Sequence, residues 1–378
     1  MKNRNAKGGG SVRQRDDGTW EARCTINGKR RSFYGAKQSE VVKAMRSALS
    51  SADNGTYTEP SKMTFAEWAD AWLEVYVKTA TKQSTYYAYK GALNRYVIPI
   101  IGKYKLSSVN PTQIQVIYND MLYKKKLSSK TVRNLHGILH EAFKQAVELR
   151  YIPYNPTSAC KKPKADKRQI NPLEETDIEA FLSAIEGHKY QAIFTVTLFT
   201  GMRIGEACGL PWDAVNFKKG TITIKQQLQH QEGLGEFKIE TPKHDKFRVL
   251  TAPQFVMDIL KDVKMQQLKN NLDFGNLWQN KYNLVFTNED GSFVSPKNLR
   301  AAYKRIVAKI GRPDARFHDL RHTYAVTALQ EGDDVKTVQQ NLGHATASFT
   351  LDVYGHVSEK MRQESANRMQ KYYENIKA

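Results

Sequence analysis

Apolar and polar positions alternate between Trp20 and Ile26: Trp20, Ala22, Cys24 and Ile26 share one parity, Glu21, Arg23 and Thr25 the other. That period of two predicts a strand with one buried face. Asp17-Gly18 before it and Asn27-Gly28 after it are hairpin turns by their chemistry. A third strand over Lys29–Tyr34 closes a small meander, and Val42, Met45 and Leu49 at helical spacing predict a helix over 39–49. Beyond a linker-like stretch around Asn54-Gly55 and Pro60-Ser61 the period changes to helical. Thr64-Phe65-Ala66-Glu67 forms a capping box, and Phe65, Trp68, Ala69, Trp72 and Tyr76 line one face of the helix it opens. Further starts at Ser84, at Asn110-Pro111 and at Ser128 or Ser129 give four helices up to about Arg150.

Pro153, Pro156 and Pro163 mark a second extended stretch. After it comes an amphipathic helix with Ile178, Phe181, Leu182 and Ile185, then an apolar helix over 192–199 that runs into Thr200-Gly201-Met202-Arg203-Ile204-Gly205-Glu206. Thr221–Ile224 reads as a strand, with Phe237–Ile239 and Arg248–Leu250 as its expected partners and a basic turn, Thr241-Pro242-Lys243-His244-Asp245-Lys246, between those two. Helices dominate after Pro253 and end in one over 358–376, with Met361, Ala366, Met369 and Tyr373 as its stripe.

Charge adds a direction to this layout. The formal net charge is +20, and residues 1–60 hold 12 basic and 6 acidic side chains, residues 61–170 hold 19 and 7, and residues 171–378 hold 27 and 25. A polyanion such as nucleic acid is the partner such an excess points to, and the front of the chain is where most of its affinity should arise. Candidate contacts are Arg13, Arg15, Arg23, Arg30 and Arg31 on the meander, and Lys124, Lys125, Lys126, Lys130 and Arg133 on the helical part. The three cysteines, Cys24, Cys160 and Cys208, have neither framework nor thiolate-zinc spacing, which fits a reducing, cytoplasmic setting. No apolar run approaches the ~18 residues of a membrane span, and the first residues lack a signal-peptide core.

Chemistry concentrates in the nearly neutral remainder. His318-Asp319-Leu320-Arg321-His322-Thr323-Tyr324 is followed by Asn341-Leu342-Gly343-His344 and by Leu351-Asp352-Val353-Tyr354. Two imidazoles, a guanidinium and a phenol suit an anionic oxygen. Upstream, Glu206 stands three residues after Arg203, close enough on a helical turn to orient that guanidinium. His318 and His322 are four apart, as two zinc ligands would be, but no third ligand is in register, so neither a metal nor another cofactor is expected.

The order Arg203, Lys243, His318-x-x-Arg321, His344, Tyr354, with the residues around each, resembles the tyrosine recombinase (lambda-integrase-like) family, in its phage and conjugative-transposon integrase form. The resemblance implies an α+β fold: a mainly helical catalytic domain with a small sheet over 172–378, a basic linker over 161–171, an all-α core-binding domain over 61–160 and a three-stranded arm-binding domain with one helix over 1–60. It implies site-specific strand exchange through a 3′-phosphotyrosine, with double-stranded DNA carrying core and arm-type sites, four protomers on two duplexes and an accessory DNA-bending or directionality factor. Tyr354 would be the nucleophile, Arg203 and Arg321 the donors to the non-bridging phosphate oxygens, and Lys243 the general acid, with Lys246 as its rival on the turn. His318 would accept the phenol proton and His344 would donate to the phosphate. Tyr324 reads as core and Cys208 as helix packing. A type IB topoisomerase with the same chemistry, or a silent DNA-binding regulator on the same fold, are the rival readings.

Overall fold

A computed structural model of the chain describes residues 10–54, 62–165, 171–230, 237–241, 247–343 and 359–377. Two compact units, Met1–Lys167 and Arg168–Ala378, make it up.

In the first unit β1 (Ser11–Gln14), β2 (Trp20–Ile26) and β3 (Lys29–Gly35) form an antiparallel sheet in that order. Asn27 and Gly28 both take positive φ, 49° and 74°, as a two-residue hairpin turn between paired Ile26 and Lys29 requires. The apolar parity of β2 packs on α1 (Gln38–Asp53), where Val41 and Met45 are buried. Val41 therefore takes the inward place expected of Val42, a shift of one position on the helix face. Glu21 is also buried although it belongs to the outer parity, because Arg13, Arg23 and Tyr34 close over its carboxylate.

A second core in this unit is helical. The Thr64 hydroxyl accepts from Glu67 N at 3.2 Å and Glu67 Oε2 accepts from Thr64 N at 2.7 Å, opening α2 (Phe65–Trp72), which continues through a π-helical turn, Leu73–Val77, to Ala80. The next helix, α3 (Gln83–Tyr96), starts before the expected Ser84, since the Lys82 carbonyl already accepts from Thr85 N and Tyr86 N. Asn110 and Ser128 cap α4 (Pro111–Asn119) and α5 (Ser129–Glu148) as their chemistry predicts. Trp68 joins α2 to α5 by donating its indole N–H to the Ala142 carbonyl at 3.1 Å. Gln115 pairs with both backbone groups of Lys161, and Arg133 donates to the Pro163 carbonyl at 3.1 Å, so the first basic residues after the helices are strapped to them.

The second unit is mainly helical. Among the described residues its chain order is α6 (Glu175–Ala184), α7 (Gln191–Thr200), α8 (Ile204–Cys208), five short strands, α9 (Gln254–Phe274), α10 (Pro296–Lys309), α11 (Phe317–Gln330), α12 (Val335–Leu342) and α13 (Glu359–Lys377). The strands are β4 (Val215–Asn216), β5 (Thr221–Ile224), β6 (Gln227–His230), β7 (Phe237–Glu240) and β8 (Arg248–Thr251). They form one sheet of order β4-β5-β8 and a separate β6-β7 pair. The Phe237 strand thus pairs with Gln227–His230 and not with Thr221–Ile224; only the Arg248 strand is the partner expected for the latter. Contact with α8 explains the extra strand. A Cβ at Gly209 would stand 2.4 Å from Leu228 N, and one at Gly205 2.9 Å from Leu228 O, so this helix lies directly on the backbone of β6. Cys208 is buried in the same packing.

An aromatic cluster anchors α11. Phe317 lies 6.1 Å from Phe194 and 5.6 Å from Tyr303, ring centre to ring centre. Truncating Phe317 to alanine would cost about 3–5 kcal/mol and loosen the turn that carries His318 and Arg321.

Candidate active site

The site begins where α7 ends. Gly201 takes φ 64°, a left-handed cap that breaks the helix, and two residues later Arg203 is extended and caps α8. A Cβ at Gly201 would sit 2.6 Å from Tyr324 Cδ1 and 2.7 Å from Leu342 Cδ2, so glycine lets α11 and α12 close onto this corner. Into the same corner Arg321, a residue only 2% exposed, sends its guanidinium. One Nη donates to the Gly201 carbonyl at 2.8 Å and the other to the Leu342 carbonyl. A buried cation is costly unless hydrogen-bonded, and these carbonyls, one of them at the negative end of α12, offset that cost.

Arg203 remains more open, with its side chain 40% exposed. Its Nη1 donates to Glu206 Oε1 and its backbone N to Oε2, both at 2.8 Å. Glu206 is buried, and a second arginine completes its shell: Arg248, at the start of β8, donates Nη1 to Oε1 at 2.9 Å and Nη2 to Oε2 at 2.6 Å. Burial alone would raise the Glu206 carboxyl, but the Arg248 hydrogen bond and then the charges of Arg248 and Arg203 hold it at about 2. The third Arg248 donor, Nε, reaches the Asn341 carbonyl at 2.8 Å. In the sequence Arg248 reads only as a strand residue. A basic residue at the mouth of a strand, with a carboxylate in the preceding motif, is the signal the sequence carries.

His318 stands one turn before Arg321 on α11 and opens to solvent. The protein around its inner side, then the charges of Arg321 and Arg203, hold its pKa below the ordinary histidine value. Its ring meets that of His322 edge-on at 4.8 Å, and His322 is buried, with its pKa lowered to about 4 by burial and then by His318. Asp319 faces Arg316, accepting from its backbone N at 2.8 Å and its Nη2 at 3.0 Å. Tyr324 is half-buried, and its hydroxyl accepts from Asn341 Nδ2 at 3.0 Å. Lys243, Lys246, His344 and Tyr354 lie outside the described residues. No group of three or more potential metal ligands occurs among the described residues.

The Phage integrase family matches residues 171–361, and the phage integrase N-terminal SAM-like domain matches residues 64–122. The chain belongs to the phage integrase family of tyrosine recombinases. As such it is a site-specific DNA recombinase of the mobile-element type, an enzyme that cleaves and rejoins DNA. It is 29% identical over 363 residues to a XerC-like tyrosine recombinase of Caldanaerobacter subterraneus subsp. tengcongensis, covering 91% of this chain and 92% of that one. The ICEBs1 integrase of Bacillus subtilis is 23% identical over 293 residues, covering 76% of this chain and 78% of its own. In fold the recombinase is similar to the Tn1549 transposon integrase solved with a circular intermediate DNA, at a TM-score of 0.68 and 22% identity over 82% of this chain and all of that one. A lambda integrase tetramer bound to a Holliday junction aligns with TM-score 0.57 and 16% identity, over 89% of this chain and 96% of that one.

The basic candidates divide in the structure. Arg13, Arg23 and Arg30 share the sheet face turned away from α1 with Tyr34, over whose ring Arg15 lies at 5.6 Å. Arg31 pairs with Cys24 across the strands and so belongs to the opposite, α1-facing side. Lys124, Lys125, Lys126, Lys130 and Arg133 are all exposed. Asp120 lies 3.4 Å from both Lys124 and Lys125. Among the described residues no helix is long and apolar enough to cross a membrane.

Proposed function

We propose that Arg203 and Arg321 bind the non-bridging oxygens of one DNA phosphate and that Tyr354 attacks it. The observation that carries this reading is the hydrogen bond from Arg321 to the Gly201 carbonyl, two residues before Arg203, which binds the two arginine-bearing segments into one corner. As the phenol oxygen bonds to phosphorus, negative charge grows on the non-bridging oxygens, and N–H groups of Arg203 and those of Arg321 not given to the Gly201 and Leu342 carbonyls stabilise it. His318, held neutral at pH 7 by its partly buried, cationic surroundings, accepts the phenol proton. The leaving 5′-oxygen departs with the bonding pair and takes a proton from Lys243. The phosphotyrosine conserves the bond, and a 5′-hydroxyl from a second duplex reverses the step.

The outer sheet face with Arg13, Arg15, Arg23 and Arg30 would hold arm-type sites, and the exposed cluster from Lys124 to Arg133 would hold the core site. On this reading the domains span 1–60, 61–160 and 172–378, with the linker at 161–171. Four protomers on two duplexes are the working assembly. Met369, Tyr372, Tyr373 and Ile376 leave an exposed apolar stripe on α13, which supports docking onto a neighbouring protomer over packing on its own unit.

Strand exchange between two differently labelled duplexes, with and without an added DNA-bending protein, tests the assignment. Wild type should yield recombinant strands, whereas Arg203→Gln should bind DNA and exchange none. Exchange by Arg203→Gln at the wild-type rate would remove Arg203 from the site.

A further inference from the structure

We propose that Arg248 is a positioning residue for strand cleavage, which cancels the charge of Glu206 so that Arg203 keeps its own positive charge for the DNA phosphate. The inference rests on the reading of Arg203 as a phosphate donor.

All three kinds of guanidinium nitrogen in Arg248 are engaged, two on Glu206 and one on the Asn341 carbonyl. Its side chain is 10% exposed and that of Glu206 1%, against 40% for Arg203. The two arginines thus share one carboxylate from opposite situations, Arg248 from within and Arg203 from the open side. Each Glu206 oxygen accepts one N–H from each residue. The local charge is one anion against two cations, and the surplus cation is the accessible one.

Without Arg248, Glu206 and Arg203 would form a neutral pair. A buried carboxylate with one remaining cation would hold that cation tightly and turn its charge inward, and the phosphate would meet little field. The Asn341 contact adds a second task. Asn341 and Leu342 offer consecutive carbonyls at the end of α12, taken by Arg248 and Arg321 respectively. Gly343, at φ 65°, leaves room for this: a Cβ there would sit 3.1 Å from Arg248 Cδ. Arg248 therefore ties the Arg203 corner to the point from which the chain leads on to His344 and Tyr354.

The test reads single-turnover covalent capture of a nicked suicide duplex, with DNA affinity and thermal melting measured in parallel. Arg248→Gln is expected to slow capture about 100-fold while DNA affinity changes less than about threefold. Adding Glu206→Gln to it removes the uncancelled anion, so the double variant should capture DNA at least about tenfold faster than Arg248→Gln alone, an order that loss of packing would not produce. Arg248→Lys keeps the charge and gives up the fork, and it too should exceed Arg248→Gln; this comparison stands if the Gln variant is only partly folded. A double variant no faster than the single one, or equal rates for the Lys and Gln variants, would overturn the proposal. Arg203→Ala, run alongside, separates the two readings: capture at the wild-type rate by that variant sinks the phosphate role itself, whereas its inactivity with an unimpaired Arg248→Gln sinks only the role of Arg248.

Discussion

The carbonyl oxygen of Gly201 accepts a hydrogen bond from a buried Arg321 Nη at 2.8 Å, although 120 residues separate them in the chain. A left-handed glycine thus sets the position of one proposed phosphate donor and, two residues on, of the other. Gly201→Ala must strain at φ 64° and push its Cβ into Tyr324 and Leu342. The expected loss is about 2–4 kcal/mol in chemical denaturation of the protein, accompanied by slower DNA cleavage.

Acid should weaken the second unit in two separate steps. His322 is held at about 4 against an ordinary value of 6.5, so the unfolded chain binds this proton more readily between those values. Its contribution is full above pH 6.5 and is lost as the pH falls through 4, a change on the order of 3 kcal/mol. Glu206, lowered from 4.5 to about 2, adds a further loss as the pH falls from 4.5 through 2. Urea melts at pH 7.5 and pH 5 should differ for wild type and differ clearly less for His322→Asn. An equal pH dependence in both would remove His322 as the source.

Tyr303 is fully buried, and its hydroxyl has no hydrogen-bond partner among the described residues. Burial, and then the charge of Asp319, raise its pKa, so the phenol stays protonated. Tyr303→Phe removes a polar atom that has no partner among the described residues and leaves the aromatic cluster intact. A stabilisation of about 1 kcal/mol is expected, read as a higher Tm.

On the outer sheet face Arg13 and Arg23 both pair with Glu21, whose carboxyl is held at about 2 by the Arg23 hydrogen bond and then by Arg13 and Tyr34, against the opposing effect of burial. Arg30 has no such carboxylate in its cross-strand row, where it faces Thr25. Arg30→Ala should lower arm-site affinity and reduce the slope of log K against log salt by about 1. Cleavage of a short core-site duplex should be unchanged by it.

Local chemistry made most of the fold legible. Asn27-Gly28, the Thr64 box and the caps at Asn110 and Ser128 each act within four residues, so their sequence determines their geometry. Strand pairing is set by distant partners. The Phe237 strand pairs with β6 and not with Thr221–Ile224 because the choice depends on how closely Gly205 and Gly209 let α8 approach β6. Of the site, the motif spacing brings out Arg203, Glu206, His318 and Arg321; the structure bonds Arg203 to Glu206 and Arg321 to the Gly201 carbonyl. Arg248 escaped notice because a single arginine opening a strand looks like surface, and only the fold turns it inward onto Glu206.

The proposed function rests on Tyr354 becoming joined to DNA. The most direct measurement is covalent capture on a duplex nicked beside the cleavage position, resolved by denaturing electrophoresis. Wild-type protein should give a DNA adduct that protease digestion traces to Tyr354, and Tyr354→Phe should give none while still binding the duplex. An adduct of equal yield with Tyr354→Phe would contradict the account.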